Sequence, residues 1–289
     1  MPSRLPRISI VTPSLDQARY LRQCIESVLG QHDPNLEYIV VDGGSTDGSV
    51  DVLRSFGDRI QWTSEPDKGQ ANAINRGLKR ATGDIVSWLN SDDFLEPGAL
   101  AHVRRCFDAN PGVAFIYGRA WMIDGEGKRL REYPTFDLRR NDLKRKCYLC
   151  QPAVFVRREA IKRFGLLNEA LDVCIDYEWW LRMSREAPMA FCDHVLASSR
   201  HYSTTKTSAR RLRALIEAGY LMRHHFGKAS WRWSAKWVLH RMKLNPRLRL
   251  RPRPRSWLTA IPSALRYRKR FDSRREPSRY GARLLKSLR

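Results

Sequence analysis

The sequence contains no run of 18 or more apolar residues, so no segment reads as a helix that spans a bilayer. Its opening stretch, MPSRLPRISIVTPS, holds only a short apolar run, which reads as a first strand and not as a secretion signal. Cysteine is sparse. The six (Cys24, Cys106, Cys147, Cys150, Cys174 and Cys192) stand at irregular positions, which argues against a disulfide framework and for a reducing compartment. A cytoplasmic protein is therefore expected. Cys147-x-x-Cys150 has no second cysteine or histidine pair at zinc spacing, so a zinc site is not expected. Two phosphate-binding signatures are missing too: the dinucleotide pattern G-x-G-x-x-G and the Walker pattern G-x-x-x-x-G-K-[ST].

Acidic residues are almost absent from one region. From Lys206 to Arg289 there are 25 Lys and Arg against three carboxylates, a net charge of +22, whereas residues 1–205 hold 28 basic against 27 acidic residues. This split divides the chain into a near-neutral domain over 1–205 and a basic, Trp/Arg-rich extension over 206–289. In the extension Trp231, Ala235, Val238 and Met242 recur at helical spacing, flanked by Arg232, Lys236 and Lys243 and followed by RLRLRPRPR. Two readings fit. One is a helix docked on the domain with a solvated basic end; the other is a surface-lying anchor on an anionic membrane, peripheral at the inner face of the plasma membrane. Such a basic segment also suits a nucleic-acid-binding protein, but no RRM, KH or zinc signature accompanies it, and no nucleic-acid partner is expected.

The remaining 205 residues alternate strand-like and helix-like segments in the manner of an α/β fold. ISIVTPS, EYIVVDGGS, IQWTSE and DIVSWLNSDD read as strands. Helices are expected from about Gln17 to Leu29, from Asp47 to Phe56, through GQANAINRGLKRA, and from Pro97 to about Asp108. The first of these places Tyr20, Leu21, Cys24, Ile25 and Val28 on one face. A mixed half follows: VAFIYGRAWMID and KRLREY flank a Gly125-Glu126-Gly127 turn, PAVFVRR and MAFCDHVLASS read as strands, and IDYEWWLRMSRE reads as a helix.

Ligands of open α/β sheets sit at the carboxyl ends of the strands. Here those ends read Thr12-Pro13-Ser14, Asp42-Gly43-Gly44-Ser45, Ser64-Glu65-Pro66-Asp67 and Asn90-Ser91-Asp92-Asp93. Carboxylates stand where a phosphate would bind and would repel one unless a cation intervenes. Oxygen ligands favour Mg²⁺ or Mn²⁺, held by one or two carboxylates and the substrate's own phosphates. A metal-dependent nucleotidyltransferase shares this logic. Each carboxylate also has a plainer reading: Asp92 and Asp93 as helix caps, Asp42 as part of an ordinary βα turn, Asp176 as a charge at a helix start.

TPS, CIESVLGQ, EYIVVDGGSTDGS, SEPDKGQANAINRG, ATGDIVSWLNSDD, QPAVFVRR and DYEWWLRM together resemble, in order, the successive motifs of family 2 glycosyltransferases. The resemblance covers roughly residues 7–205 and implies the GT-A fold, with a mostly parallel nucleotide-binding half-sheet and a mixed acceptor half. It implies an inverting transferase of hexosyl or N-acetylhexosaminyl type. The donor would be a nucleotide-diphospho-sugar, UDP-linked, and the acceptor a hydroxyl of a cell-envelope or lipid-linked glycan. Pro13 and Ser14 would border the nucleotide, and Asp42, with Gly43 beside it, would bond the base. Asp67, Gln70, Asn72 and Arg76 would flank the sugar nucleotide. Asn90-Ser91-Asp92 would stand at the Asp-x-Asp motif, with Asn90 in place of the first aspartate, so Asp92 carries the metal. Asp176 would be the catalytic base, with Glu178 in reserve. Relatives often continue with Arg-x-His; this chain has Arg200-His201-Tyr202, its histidine one place early, which leaves His201 as a further candidate ligand.

Overall fold

The computed structural model describes residues 5–139 and 141–227, so the Trp231–Met242 stripe and the basic runs after it lie outside the described residues. The chain divides into two units between Ala209 and Arg210.

The first unit opens with β1 (Ile8–Ser14), α1 (Ala18–Leu29), β2 (Leu36–Asp42), α2 (Ser49–Arg54), β3 (Gln61–Ser64), α3 (Gln70–Arg80) and β4 (Ile85–Trp88). Strands β1 to β4 pair in parallel in the order β3-β2-β1-β4. Every residue of β1 and β4 is buried, as parallel strands covered on both faces require. Helix α1 buries Leu21, Cys24, Ile25 and Val28, four of the five residues whose spacing places them on one face.

The second half supplies β5 (Phe94–Leu95), α4 (Ala99–Ala109), β6 (Phe115–Ile123), β7 (Arg129–Glu132), β8 (Val154–Arg157), α5 (Arg158–Phe164), α6 (Ile175–Ser184), β9 (Met189–Arg200) and α7 (Lys206–Ala209). It extends the same sheet as β4-β8-β6-β9-β5, with β7 hairpinned on β6. Strand β8 runs antiparallel to β4 and β6, while β6 and β9 are parallel to each other. Where the halves meet, Trp88 packs against Trp179 and stacks on Trp180 at centroid distances of 5.6 Å, and all three rings are buried. Of the second unit, the described part is one helix, α8 (Arg211–Phe226).

Two helix boundaries differ from the expectation. Pro97 does not start α4: Gly98 adopts φ +75°, a left-handed conformation that glycine takes at no steric cost, and the helix begins at Ala99. Helix α2 is shorter than Asp47–Phe56. The Asp47 carboxylate stays outside it and accepts hydrogen bonds from Ser49 N (3.0 Å) and from Ala18 N (2.8 Å), the first residue of α1. One aspartate thus binds the first residue of two helices; burial would raise its pKa, but the hydrogen bond from Ser49 Oγ (2.6 Å), with those from the two backbone N–H groups, holds its carboxyl below the usual range. Strand β5 and helix α5 go beyond the elements read from sequence; β5 has two residues, too few to show a period.

Candidate active site

The parallel register sets Ser14 beside Asp42 and Asp42 beside Ser64, so three strand ends meet in one row. Asp42 is fully buried and serves its own loop. Its carboxylate accepts from Gly44 N (3.1 Å), Ser45 N (2.9 Å), Ser45 Oγ (2.5 Å) and Ser64 Oγ (2.7 Å). Satisfied in this way, it fixes the shape of the turn between β2 and α2. Asp16 N donates to Ser45 Oγ and Thr46 N to Asp16 Oδ1, tying this turn to the end of β1. Pro13 is buried in β1, and the buried Ser14 Oγ has no hydrogen-bond partner among the described residues.

Gly43 lies under Asp67. A Cβ at position 43 would stand 2.6 Å from Asp67 Oδ2, so glycine leaves room for that carboxylate. Asp67 in turn accepts from Gly69 N at 2.6 Å just before α3. The first residues of α3 then diverge. Gln70 Nε2 donates to Asn90 Oδ1 (2.9 Å), whereas Asn72 Nδ2 reaches Glu169 Oε2 (3.0 Å) and Arg76 pairs with Glu65 (2.5 Å). Gln70 therefore joins the turn after β4, while Asn72 joins the loop before α6.

The turn after β4 is organised by amides. Asn90 Nδ2 donates to Gln151 Oε1 (3.1 Å) and toward Asp93 Oδ2 (3.4 Å), and Gln151 Nε2 donates to Trp88 O (2.7 Å). Asn90 thus accepts from one glutamine and donates to another, which an aspartate could not do. Asp93 is buried, and burial reinforced by the nearby Asp92 charge pushes its carboxyl well above the usual range. It accepts Arg200 N at 2.7 Å. Ser91 is buried in the same turn.

Asp92 is half-buried and its Oδ2 accepts from Tyr202 Oη at 3.0 Å. Burial raises its pKa, opposed by that hydrogen bond and by the charges of Arg200 and His201. Arg200 secures the turn from behind, donating from Nε to Asp92 O (2.8 Å), from its guanidinium to Gly125 O (3.0 Å) and to Gln23 Oε1 (2.7 Å), and lying 4.4 Å over the Tyr20 ring. His201 Nε2 is buried and has no hydrogen-bond partner among the described residues; burial and the Arg131 charge lower its pKa, and Asp92 opposes them. Among the described residues no three His, Cys, Asp or Glu side chains cluster as a complete metal site. The Asp92 carboxylate and the unpartnered His201 nitrogen are of the donor types that could hold a divalent cation whose remaining ligands come from a bound substrate.

Asp176 occupies the first turn of α6, where its Oδ1 accepts from Tyr177 N at 2.7 Å. Burial pushes its carboxyl up to about 6, in spite of backbone hydrogen bonds that favour the ionised form. A carboxylate in that range suits a proton acceptor near neutral pH. Glu178 faces elsewhere. It holds Arg182 (Oε2 to Nη2, 2.8 Å), which donates to Leu166 O (2.8 Å) and to Phe164 O, so this pair clamps the loop after α5.

The structure brings Ser14, Asp42, Gly43 and Asp67 together at one end of the row, and Gln70, Asn90, Asp92 and His201 at the other. It turns Asn72, Arg76 and Glu178 toward neighbouring loops. Gln151, Tyr202 and Lys206 also reach these residues, and no sequence motif assigns them a role. Tyr202 had a readable signal, because in Arg200-x-Tyr202 it stands where Arg-x-His would place the histidine.

Residues 9–165 match the model of the family described as glycosyl transferase family 2. An uncharacterised glycosyltransferase of Rickettsia felis is 32% identical over 213 residues, which span 68% of this chain and 35% of that protein. A PGL/p-HBAD biosynthesis glycosyltransferase of Mycobacterium bovis is 32% identical over 200 residues, 67% of this chain and 76% of the relative. The chain thus spans about a third of the R. felis relative's length and three quarters of the mycobacterial one. The chondroitin synthase of Escherichia coli is 27% identical over 64% of this chain and 27% of that protein. Among solved structures, Staphylococcus aureus TarS 1-349 in complex with UDP-GlcNAc superimposes with a TM-score of 0.64 at 15% identity, covering 80% of this chain and 70% of that one. The mannosyltransferase PcManGT of Pyrobaculum calidifontis, in complex with GDP-Man and Mn²⁺, gives 0.61 at 18% identity over 93% and 83%. These likenesses identify the curled mixed sheet as the GT-A fold.

Proposed function

The chain belongs to glycosyl transferase family 2, and from that premise we propose that it moves a hexosyl or N-acetylhexosaminyl group from a UDP-linked donor to a glycan hydroxyl with inversion at the anomeric carbon. The observation that carries this reading is Asp176, a half-buried carboxyl pushed up to about 6 at the start of α6. In the proposed reaction it takes the proton of the acceptor hydroxyl while that oxygen attacks the anomeric carbon. The bond from that carbon to the diphosphate breaks, and the nucleoside diphosphate leaves with the bonding pair. One displacement inverts the configuration.

Pro13, Ser14, the turn held by Asp42 and Gly43, and Asp67 border the nucleotide in this reading, and Gln70, Asn90 and Ser91 shape the diphosphate end. Asn72 and Arg76 support the α3 side through Glu169 and Glu65. Asp92, with His201, would hold Mg²⁺ or Mn²⁺, which when bound neutralises the diphosphate's charge. The Mn²⁺ and GDP-Man in the PcManGT structure and the UDP-GlcNAc in the TarS structure support a cation and a nucleotide sugar as ligands. The names of the chondroitin synthase and the PGL/p-HBAD biosynthesis relatives support an envelope or lipid-linked glycan as acceptor. No helix among the described residues is long and apolar enough to cross a membrane. The +22 extension would bring the enzyme to an anionic membrane surface on the cytoplasmic side, where a lipid-linked acceptor is exposed.

A thermal-shift panel of UDP- and GDP-sugars with and without Mn²⁺ tests the donor class, since a ligand at 100 times its Kd stabilises by about 2.7 kcal/mol. Stabilisation by a UDP-sugar only with Mn²⁺, followed by UDP release on turnover, is the expected result. Release of pyrophosphate, or retention of RNA with no response to any nucleotide sugar, would replace this reading.

A further inference from the structure

Beyond Arg200 the chain turns back across the strand ends. Tyr202 bonds Asp92, and Lys206 Nζ comes within 3.2 Å of Gln70 Oε1 and 3.1 Å of Asp172 Oδ1. The other end of the Gln70 amide donates to Asn90, so one side chain separates the ammonium group from the Asn90-Ser91-Asp92 turn.

The surroundings are rich in carboxyl groups. Asp67, Asp92, Asp172 and Asp176 lie at the strand ends or on the loop and first turn of α6, while burial drives Asp93 toward its neutral form. A diphosphate entering here adds more negative charge and needs cations beyond one divalent ion. Of the nearby arginines, Arg200 is buried and spends its donors on backbone carbonyls and Gln23, Arg76 is paired with Glu65, and the exposed Arg131 acts on His201. Lys206 differs. Its side chain is 33% exposed and that of Asp172 is 16% exposed, and its ammonium is held by a carboxylate and an amide oxygen. An exchange of these acceptors for phosphate oxygens keeps the ammonium paired, and the larger negative charge of a diphosphate offsets the cost of releasing it from Asp172.

We infer that Lys206 is a donor-binding residue whose ammonium passes from Asp172 and Gln70 to the diphosphate of the nucleotide sugar. The inference rests on the donor reading above and adds a residue that the sequence motifs do not include. It also gives the 201–206 segment a function, in which Tyr202 places it at Asp92 and Lys206 brings a fixed positive charge to the leaving group.

The test is titration calorimetry on the full chain with Mn²⁺, using UDP, GDP and the nucleosides uridine and guanosine as probes, for wild type, Lys206→Gln and Lys206→Arg. Loss of a charge-assisted hydrogen bond predicts that Lys206→Gln weakens binding of the diphosphate about ten- to hundredfold. Nucleoside affinity should stay within about twofold, and Lys206→Arg should recover most of the loss, because it keeps the charge. Equal weakening for diphosphate and nucleoside would assign Lys206 a structural role and overturn the inference. Unchanged diphosphate binding by Lys206→Gln, with wild type binding normally, would overturn the inference alone. A wild type that binds neither UDP nor GDP would overturn both the inference and the donor reading beneath it.

Discussion

Tyr202 donates its hydroxyl to Asp92 Oδ2 across 3.0 Å, linking the segment after β9 to the turn after β4, 110 residues earlier in sequence. The bond steadies the carboxylate but does not supply its charge. Tyr202→Phe should therefore lower stability by about 1 kcal/mol in urea denaturation, as one hydrogen bond is worth. It should keep Mn²⁺-dependent binding of nucleoside diphosphate within about tenfold of wild type. Loss of binding as complete as that from removing the Asp92 charge would mean that the hydroxyl itself is a ligand.

Asp176 and Glu178 stand two residues apart on α6 and should fail in opposite ways. Asp176→Asn is expected to leave donor affinity nearly unchanged and lower kcat by about 10²- to 10⁴-fold. An acid whose folded-state pKa is raised contributes stability below its unfolded pKa and loses it as pH rises through the folded value, here about 6. Asp176→Asn should thus match wild type in thermal stability near pH 4 and exceed it above pH 6, by an amount on the order of 2 kcal/mol. Wild-type kcat/KM should rise with pH through about 6. Glu178→Gln should instead lose stability, because it loosens the Arg182 clamp, and change kcat by less than about tenfold. The reverse pattern in kcat would make Glu178 the base.

Asn90 departs from the aspartate of the Asp-x-Asp motif, and its neighbours supply a physical reason. Its amide donates to Gln151 and toward the buried Asp93. Asn90→Asp would set acceptor against acceptor and place a charge beside a carboxyl already driven toward its neutral form. We expect a loss of about 2–4 kcal/mol in urea denaturation and no gain in Mn²⁺ affinity. A variant as stable as wild type that binds Mn²⁺ more tightly would refute this explanation of the position.

The parallel half and its strand-end site were legible because buried parallel strands are near-continuous apolar runs that stop at polar residues, as Trp88 and Leu89 stop at Asn90. The Gly43–Asp67 contact was not, since it depends on the approach of two loops 24 residues apart. Nor was the commitment of Glu178 to Arg182 and the loop carbonyls: i and i+4 spacing shows that such a pair can form, not that Phe164 and Leu166 will face it. Lys206 is hidden for a further reason. In sequence it is the first of the 25 basic residues that mark the extension, whereas in the structure it reaches Gln70 and Asp172.

The central claim is that Asp92 carries a divalent cation to a donor diphosphate, and Asp92→Asn isolates it, since an amide oxygen can still accept from Tyr202 while the charge is gone. Calorimetric titration of UDP and GDP into wild type and Asp92→Asn, with Mn²⁺ and with EDTA, should show wild-type binding that needs Mn²⁺. The variant should show none, with a thermal midpoint within about 2–4 °C of wild type, the shift expected for about 1 kcal/mol or less in a domain of this size. Mn²⁺-dependent binding that persists unchanged in Asp92→Asn would contradict the claim.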